Sequence, residues 1–214
     1  MPHPTPLSDL TDAAARLLDL PGRRLLGLCG PPAAGKSTLA RALVEGIDAR
    51  LGPGTAAWLP LDGFHLSNAQ LERLGLADRK GSPPTFDVHG YLALLRRVAA
   101  ELDHDLYIPD YDRALHEPVA ARHVIGPAVR LVVTEGNYLG MDAPGWRETA
   151  EPLDQLWYVD APDALRERRL SDRHLGNGSS SDRTRARVEG NDRPNGELVK
   201  TARGRCDRVV GAWS

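Results

Sequence analysis

The stretch Gly30-Pro31-Pro32-Ala33-Ala34-Gly35-Lys36-Ser37-Thr38 constrains this chain more than any other. It fits G-x-x-x-x-G-K-[ST] and follows the apolar run Leu25-Leu26-Gly27-Leu28-Cys29, so it reads as a buried strand, a phosphate-cradling loop and a helix start. Glycine permits the sharp turn that brings backbone N–H groups up to phosphates, and the helix N-terminus adds partial positive charge. Lys36 is expected to reach the β- and γ-phosphates of a nucleotide, and the Ser37 hydroxyl to ligate the accompanying Mg²⁺. Gly30, Ala33, Ala34, Gly35, Lys36, Ser37 and Thr38 are the expected nucleotide-binding residues. An ordinary glycine-rich turn is the alternative, and it is weakened by the scarcity of lysine: Lys36, Lys80 and Lys200 are the only three in the chain.

A chain of 214 residues, 41% hydrophobic and 26% charged, suffices for one α/β domain with a sizeable core, taken as residues 1–214. Lys and Arg total 27 against 29 Asp and Glu, a net charge of -2, so no general basic surface points to nucleic acid or an anionic membrane. Cys29 and Cys206 have neither metal nor disulfide-framework spacing, and neither a signal peptide nor an apolar run of membrane-spanning length is visible. The expected location is the cytoplasm, and a homodimer is left open.

Along the chain, Leu10, Ala14, Leu17 and Leu18 recur at helical spacing between Leu7 and Leu20. A helix from about Lys36 to Arg50 stops at Leu51-Gly52-Pro53-Gly54. The run from Ala56 to Leu61 reads as a strand delivering Asp62 at its carboxyl end, the edge at which open α/β sheets bind ligands. Ser67 can cap a short helix to Leu74, Gly75 to Pro84 is a polar loop, and Asp87 can cap a helix to about Leu102. Asp105 to Pro109 reads as a strand followed by an irregular segment holding Tyr111, Arg113 and His116, and Ala121 to Ala128 as a short hairpin around Gly126-Pro127. Val129 to Thr134 and Leu156 to Val159 read as buried strands that end at Glu135-Gly136 and Asp160. A helix from Pro162 to His174 precedes the flexible run Gly176-Asn177-Gly178-Ser179-Ser180-Ser181. A helix from Asp182 to about Glu189, a loop from Gly190 to Gly196, a helix near Glu197 to Ala202 and a strand at Asp207 to Val210 close the chain. Strands alternating with helices imply an α/β fold, a parallel sheet with helices on both faces.

Phosphoryl transfer needs phosphates and metal held in place, a group that orients or deprotonates the acceptor, and positive charge on the transferred phosphoryl. Asp62 at a strand end can take a proton from an acceptor hydroxyl, or it is a turn-forming Asp before Gly. Glu135 stands where a carboxylate can support Mg²⁺, or it is an exposed strand-end acid. Arg169 and Arg173 are four apart on one helix, with Arg166 one turn back, and suit a lid over about residues 162–182; a solvated, salt-bridged face is the alternative. Tyr111, Arg113 and His116 can read a substrate, and His65 and His89 lack partners at zinc-ligand spacing.

These motifs resemble the P-loop kinases of the group containing uridine kinase, bacterial pantothenate kinase and phosphoribulokinase, with relatives named as nucleoside or fructose-transport-system kinases. Asp62-Gly63-Phe64, then Asn68, Leu71, Gly75-Leu76 and Lys80-Gly81-Ser82-Pro83-Pro84-Thr85-Phe86-Asp87, is similar to the pantothenate kinase run, whose matching Asp is the base. Pro109-Asp110-Tyr111-Asp112 with His116 resembles the uridine kinase pattern P-x-Y-D-x-x-x-H, and Glu135-Gly136 the E-G whose Glu helps hold Mg²⁺. The segment Asn191 to Gly196, with Arg203, resembles the adenine-side loop, which adds Asn195 and Arg203 to the nucleotide set. The chain also departs from both patterns. Lys80-Gly81-Ser82-Pro83-Pro84 replaces uridine kinase's N-F-D-x-P with its ribose-binding Asp, and Asp112-Arg113 stands where pantothenate kinase continues P-x-Y-S-H.

The resemblance implies a P-loop containing nucleoside triphosphate hydrolase fold with an Arg-bearing lid. It also implies an ATP- and Mg²⁺-dependent kinase that phosphorylates a hydroxyl of a nucleoside, a pantothenate-like alcohol or a sugar. The catalytic residues are then Asp62, Lys36, Arg169 and Arg173; the metal residues are Ser37, Asp62 and Glu135. Asp62, Phe64, His65, Lys80, Tyr111, Arg113, His116 and Glu135 are the substrate residues. The competing reading is a nucleotide-driven regulatory switch, although neither [NT]-K-x-D nor L-S-G-G-Q occurs.

Overall fold

A computed structural model describes residues 4–176 and 180–213. Asn177, Gly178 and Ser179 of the expected flexible run lie outside the described residues. In chain order the elements are α1 (Leu7–Ala15), β1 (Arg24–Cys29), α2 (Lys36–Leu51), β2 (Ala56–Pro60), α3 (Asn68–Arg73), α4 (Val88–Ala100) and the pair β3 (Leu106–Asp112) and β4 (Glu117–Ile125). They continue with β5 (Leu131–Glu135), β6 (Gln155–Val159), α5 (Asp163–Gly176), α6 (Ser181–Arg187), α7 (Arg193–Lys200) and β7 (Arg208–Val210). Five strands form one parallel sheet in the order β2-β5-β1-β6-β7. β1 lies at the centre, so the loop after it opens at the sheet's carboxyl edge, between strands that continue to either side.

Alternate residues of β1 serve opposite faces. Leu26 and Leu28 pack with Leu10 and Ala14 of α1 and Leu39, Leu43 and Ile47 of α2. Leu25 and Cys29 pack with Tyr91, Leu95 and Val98 of α4. A strand buried on both faces is apolar without interruption, which is why β1 and β5 stand out in the sequence. Ser67 and Asp87 cap α3 and α4 by accepting from the backbone N–H groups of Gln70 and Gly90. Among the described residues no helix is long and apolar enough to cross a membrane.

Two expectations are corrected. The strand beginning near Asp105 runs on to Asp112 and pairs antiparallel with β4 in a separate two-stranded ribbon, from Leu106↔Ile125 to Asp112↔Glu117. The chain therefore reverses at Arg113–His116, not at Gly126-Pro127, and Ala121–Ile125 is the end of β4. Pro109 has no N–H to donate, and at that point the register shifts, with Ala121 opposite in the left-handed region at φ 57. Most of β4 is exposed or half-buried, so it carries little of the alternation that marks a strand. The expected loop from Gly190 to Gly196 is helical instead: a wide turn, Val188–Asp192, joins α6 to α7. Pro194 falls in the first turn of α7, next to the wide turn that has already broken the regular i→i−4 ladder.

Arg23, just before β1, is a long-range clasp. Its buried guanidinium donates to the carbonyls of Val129 (2.9 Å), Val98 (3.0 Å), Glu101 (3.2 Å) and Gly126 (2.8 Å), tying the end of α4 to the start of β5. Arg23→Met strands these acceptors and is expected to destabilise the fold by about 2–4 kcal/mol. A fall in the urea midpoint at constant m-value would show it; an unchanged midpoint would remove the clasp. The two thiols, of Cys29 before the phosphate loop and Cys206 before β7, lie 3.3 Å apart.

Candidate active site

The phosphate loop joins β1 to α2 through backbone that side chains tolerate poorly. Gly30 sits at φ +145 against the Val159 carbonyl, where a Cβ would collide, and Gly35 at φ +101 precedes α2. Lys36 opens the helix, and burial turns its ammonium inward, where Nζ donates to Pro31 O (3.0 Å) and Asn137 Oδ1 (2.6 Å). Burial lowers its pKa from the usual lysine value, while the charges of Glu135 and Asp62 oppose the shift. Ser37 Oγ donates to Glu135 Oε1 at 3.0 Å. Glu135 is only 5% exposed; burial, then the charge of Asp62, pushes its carboxyl up to about 7 against the pull of Lys36 and the Ser37 hydrogen bond.

Asp62 lies in the short turn Leu61–Phe64 that β2 delivers to the same edge. The Asp62 carbonyl accepts from His65 Nδ1 at 2.8 Å, and Arg113 Nη2 is 3.6 Å from Asp62 Oδ2. The His65 ring packs against Phe86 (4.0 Å between centroids) and Tyr111 (5.0 Å). Burial lowers the His65 pKa, more than the nearby Asp62 raises it. Lys80 Nζ donates to Asn68 Oδ1 (2.6 Å) and His116 O (2.7 Å) and lies 5.0 Å from the Tyr111 centroid. From α5, Arg169 donates to Ala33 O at 3.1 Å and the buried Arg166 to Pro32 O at 3.3 Å, so both hold carbonyls of the phosphate loop.

These groups surround one cleft of about 920 Å³. It brings together Ala33 to Thr38, Asp62, His65, Lys80, Tyr111, Arg113, His116, Glu135, Arg169 and Arg173. Four expected residues do not line it. Gly30 packs against Val159, and Phe64 packs edge-on against Tyr91 at 5.3 Å. Asn195 is buried in the first turn of α7 and donates to Asn191 at 3.3 Å, because the expected loop is helix. Arg203 lies behind the wall, 3.5 Å from the cleft residue Asp160. Asn137, Phe86, Asp160, His174 and the segment Gly211-Ala212-Trp213 also line the cleft, unanticipated as site residues. Asn137 directly follows the Glu135-Gly136 pair, the one signal that marked it; Gly211 to Trp213 had none, and the chain start holds them through Thr5 N donating to Ala212 O at 2.9 Å.

The donor set suits Mg²⁺. Ser37 and Glu135 place a hydroxyl and a carboxylate side by side at the phosphate loop, and Mg²⁺ takes one or two such oxygens plus phosphates and water. Among the described residues no three His, Cys, Asp or Glu gather into an all-protein cage, so nucleotide and water would complete the shell.

No family model matches the chain. A Schizosaccharomyces pombe protein named "Putative uridine kinase C227.14" is 32% identical over 181 residues, 83% of this chain and 77% of that protein. The Escherichia coli "Uncharacterized protein YggC" is 37% identical over 190 residues, 87% of this chain and 77% of the relative. Among solved structures, a "putative fructose transport system kinase" from Silicibacter sp. TM1040 superposes with TM-score 0.85 at 37% identity, covering 95% of this chain and 98% of the other. YFH7 from Saccharomyces cerevisiae superposes with TM-score 0.84 at 20% identity, covering 97% and 99%, a likeness of fold alone.

Proposed function

This chain belongs to the P-loop kinases of the uridine kinase group, ATP-dependent small-molecule phosphotransferases, and from that premise we propose that Asp62, Lys36, Arg169 and Arg173 carry the transfer of a γ-phosphoryl group to an acceptor hydroxyl. The observation that carries this reading is the facing of Asp62 and the Lys36–Ser37–Glu135 group across one cleft. Gly35 to Thr38 present backbone N–H groups to the nucleotide phosphates, and Lys36 exchanges its bonds to Pro31 and Asn137 for phosphate oxygens. Ser37 and Glu135 would hold Mg²⁺, which when bound would supply positive charge to the nucleotide phosphates. Asp62 orients the acceptor hydroxyl and takes its proton as the new O–P bond forms. His65 holds the turn that carries Asp62, and Tyr111, His116, Lys80 and Arg113 form the acceptor wall. The 214 residues act as one domain, with residues 162–182 as a lid.

Arg169 rests on Ala33 O and can leave it for the transferring phosphoryl when α5 closes. Arg169→Ala is expected to lower kcat by about 10²-fold, as for loss of one of several stabilising donors, with nucleotide affinity changed far less. Equal losses in kcat and affinity would instead mark ground-state binding. The kinase reading itself is tested by coupled ADP release from Mg·ATP with a panel of nucleosides, pantothenate and sugars, Lys36→Ala serving as blank. Stimulation by one class, absent from the blank, is the expected outcome. ATP hydrolysis indifferent to every acceptor and tied to binding of a protein would overturn it.

A further inference from the structure

We propose that the acceptor alcohol carries an anionic group of its own, a carboxylate or a phosphate, held by Lys80 and Arg113 beside Tyr111. This rests on the kinase reading above. The chain's net charge is -2, yet five cations line the cleft, Lys36, Lys80, Arg113, Arg169 and Arg173. Asp62, Glu135 and Asp160 are the carboxylates among its lining residues. Lys36 and Arg169 are committed to the phosphate loop, where they donate to its carbonyls. Lys80 and Arg113 stand instead near Asp62: Arg113 is 3.6 Å from its carboxylate, and Lys80 lies over Tyr111, which packs on His65.

Among the described residues neither cation has a carboxylate within hydrogen-bond distance. Both hydrogen bonds from Lys80 end on neutral acceptors, Asn68 Oδ1 and His116 O, and the nearby Glu117 carboxylate is taken by Asn68 N–H at 3.0 and 3.1 Å. Arg113 forms a loose ion pair with Asp62 at 3.6 Å, longer than a hydrogen bond, and its side chain is 57% exposed. An acceptor anion meeting both cations would draw Arg113 away from Asp62. The Asp62 carboxylate would then be free for the hydroxyl proton, so binding of the charged acceptor and exposure of the base become one event.

Near Asp62 the aromatic rings pack against one another. The His65 ring fills the space between Phe86 and Tyr111, at centroid distances of 4.0 and 5.0 Å. Tyr111 is further covered by Lys80 Nζ at 5.0 Å. These rings pack on one another at tilted angles of 41° and 53°, and Lys80 and Arg113 stand beside them.

Matched pairs with and without one anionic group test the inference: glycerate against glycerol, pantothenate against pantothenol, ribose 5-phosphate against ribose, with uridine alongside. Each is measured for ADP release from Mg·ATP and, by calorimetry, for binding to the protein saturated with Mg·ADP. The anionic member of a pair is expected to win, and Arg113→Gln, an exposed position, to raise its KM or Kd by about 10- to 100-fold with Mg·ADP affinity unchanged. The carboxylate and phosphate pairs tell which anion is read. Preference for uridine or the neutral members in turnover overturns the inference and leaves the kinase reading standing. Anion binding that depends on Arg113 without stimulated ADP release keeps an anion site at Lys80 and Arg113 but overturns its role in holding the acceptor. Equal binding of charged and neutral members, unmoved by Arg113→Gln, overturns the inference.

Discussion

Replacing Asp62 with Asn is expected to lower kcat by about 10²- to 10⁴-fold, the range for loss of a positioned general base. The amide keeps the shape of the carboxylate, and the turn Leu61–Phe64 is held by its own backbone and by His65, so the fold should survive. Mg·ATP affinity should change little, because among the described residues no hydrogen bond joins the Asp62 side chain to the phosphate loop. Single-turnover kinetics with the acceptor found in the ADP-release screen separate the two quantities. Full turnover by Asp62→Asn would mean that the acceptor needs no base at this position.

Lys36→Ala should cost more. A positive charge on the transferring phosphoryl is worth on the order of 10³–10⁵ in rate, and on the proposed reading, in which ground state and transition state both use this ammonium, the loss is expected in kcat/KM. The low-dielectric setting strengthens the charge's effect: Lys36 is 6% exposed, and its own pKa is lowered by that burial. Truncation also leaves Pro31 O and Asn137 Oδ1 without their donor, a stability cost of about 1–3 kcal/mol that thermal unfolding measures separately. Activity near wild type in a folded Lys36→Ala would place the phosphates elsewhere.

Local chemistry made much of this molecule readable. The phosphate loop was legible because strand, turn and helix start are contiguous in the chain and the geometry demands Gly30, Gly35 and a lysine at one spacing. The caps Ser67 and Asp87 were legible for the same reason, each acting on an N–H three residues on. β4 was not, because the ribbon it forms with β3 buries few of its residues and so leaves no alternation to read. The segment from Gly190 to Gly196 misled because two glycines and a proline mark loops locally. There Gly196 packs against the Arg166 guanidinium, with a Cβ reaching 3.1 Å from Nη1, so the glycine serves the contact between α7 and α5.

The amino-acid sequence by itself determined the α/β class, the strand that leads into the nucleotide loop, that loop and the candidate carboxylates Asp62 and Glu135, because each rests on residues within a few positions of one another. Only the tertiary structure decided that Asn137 receives Lys36 from 101 residues away, that Arg23 clasps carbonyls 75 to 106 residues distant, and that Gly211 to Trp213 wall the cleft. It also set Lys80 and Arg113 beside Tyr111 while filling the aromatic gap with His65. Such contacts arise where strand order and helix packing close long loops, and no spacing along the chain encodes which groups then meet.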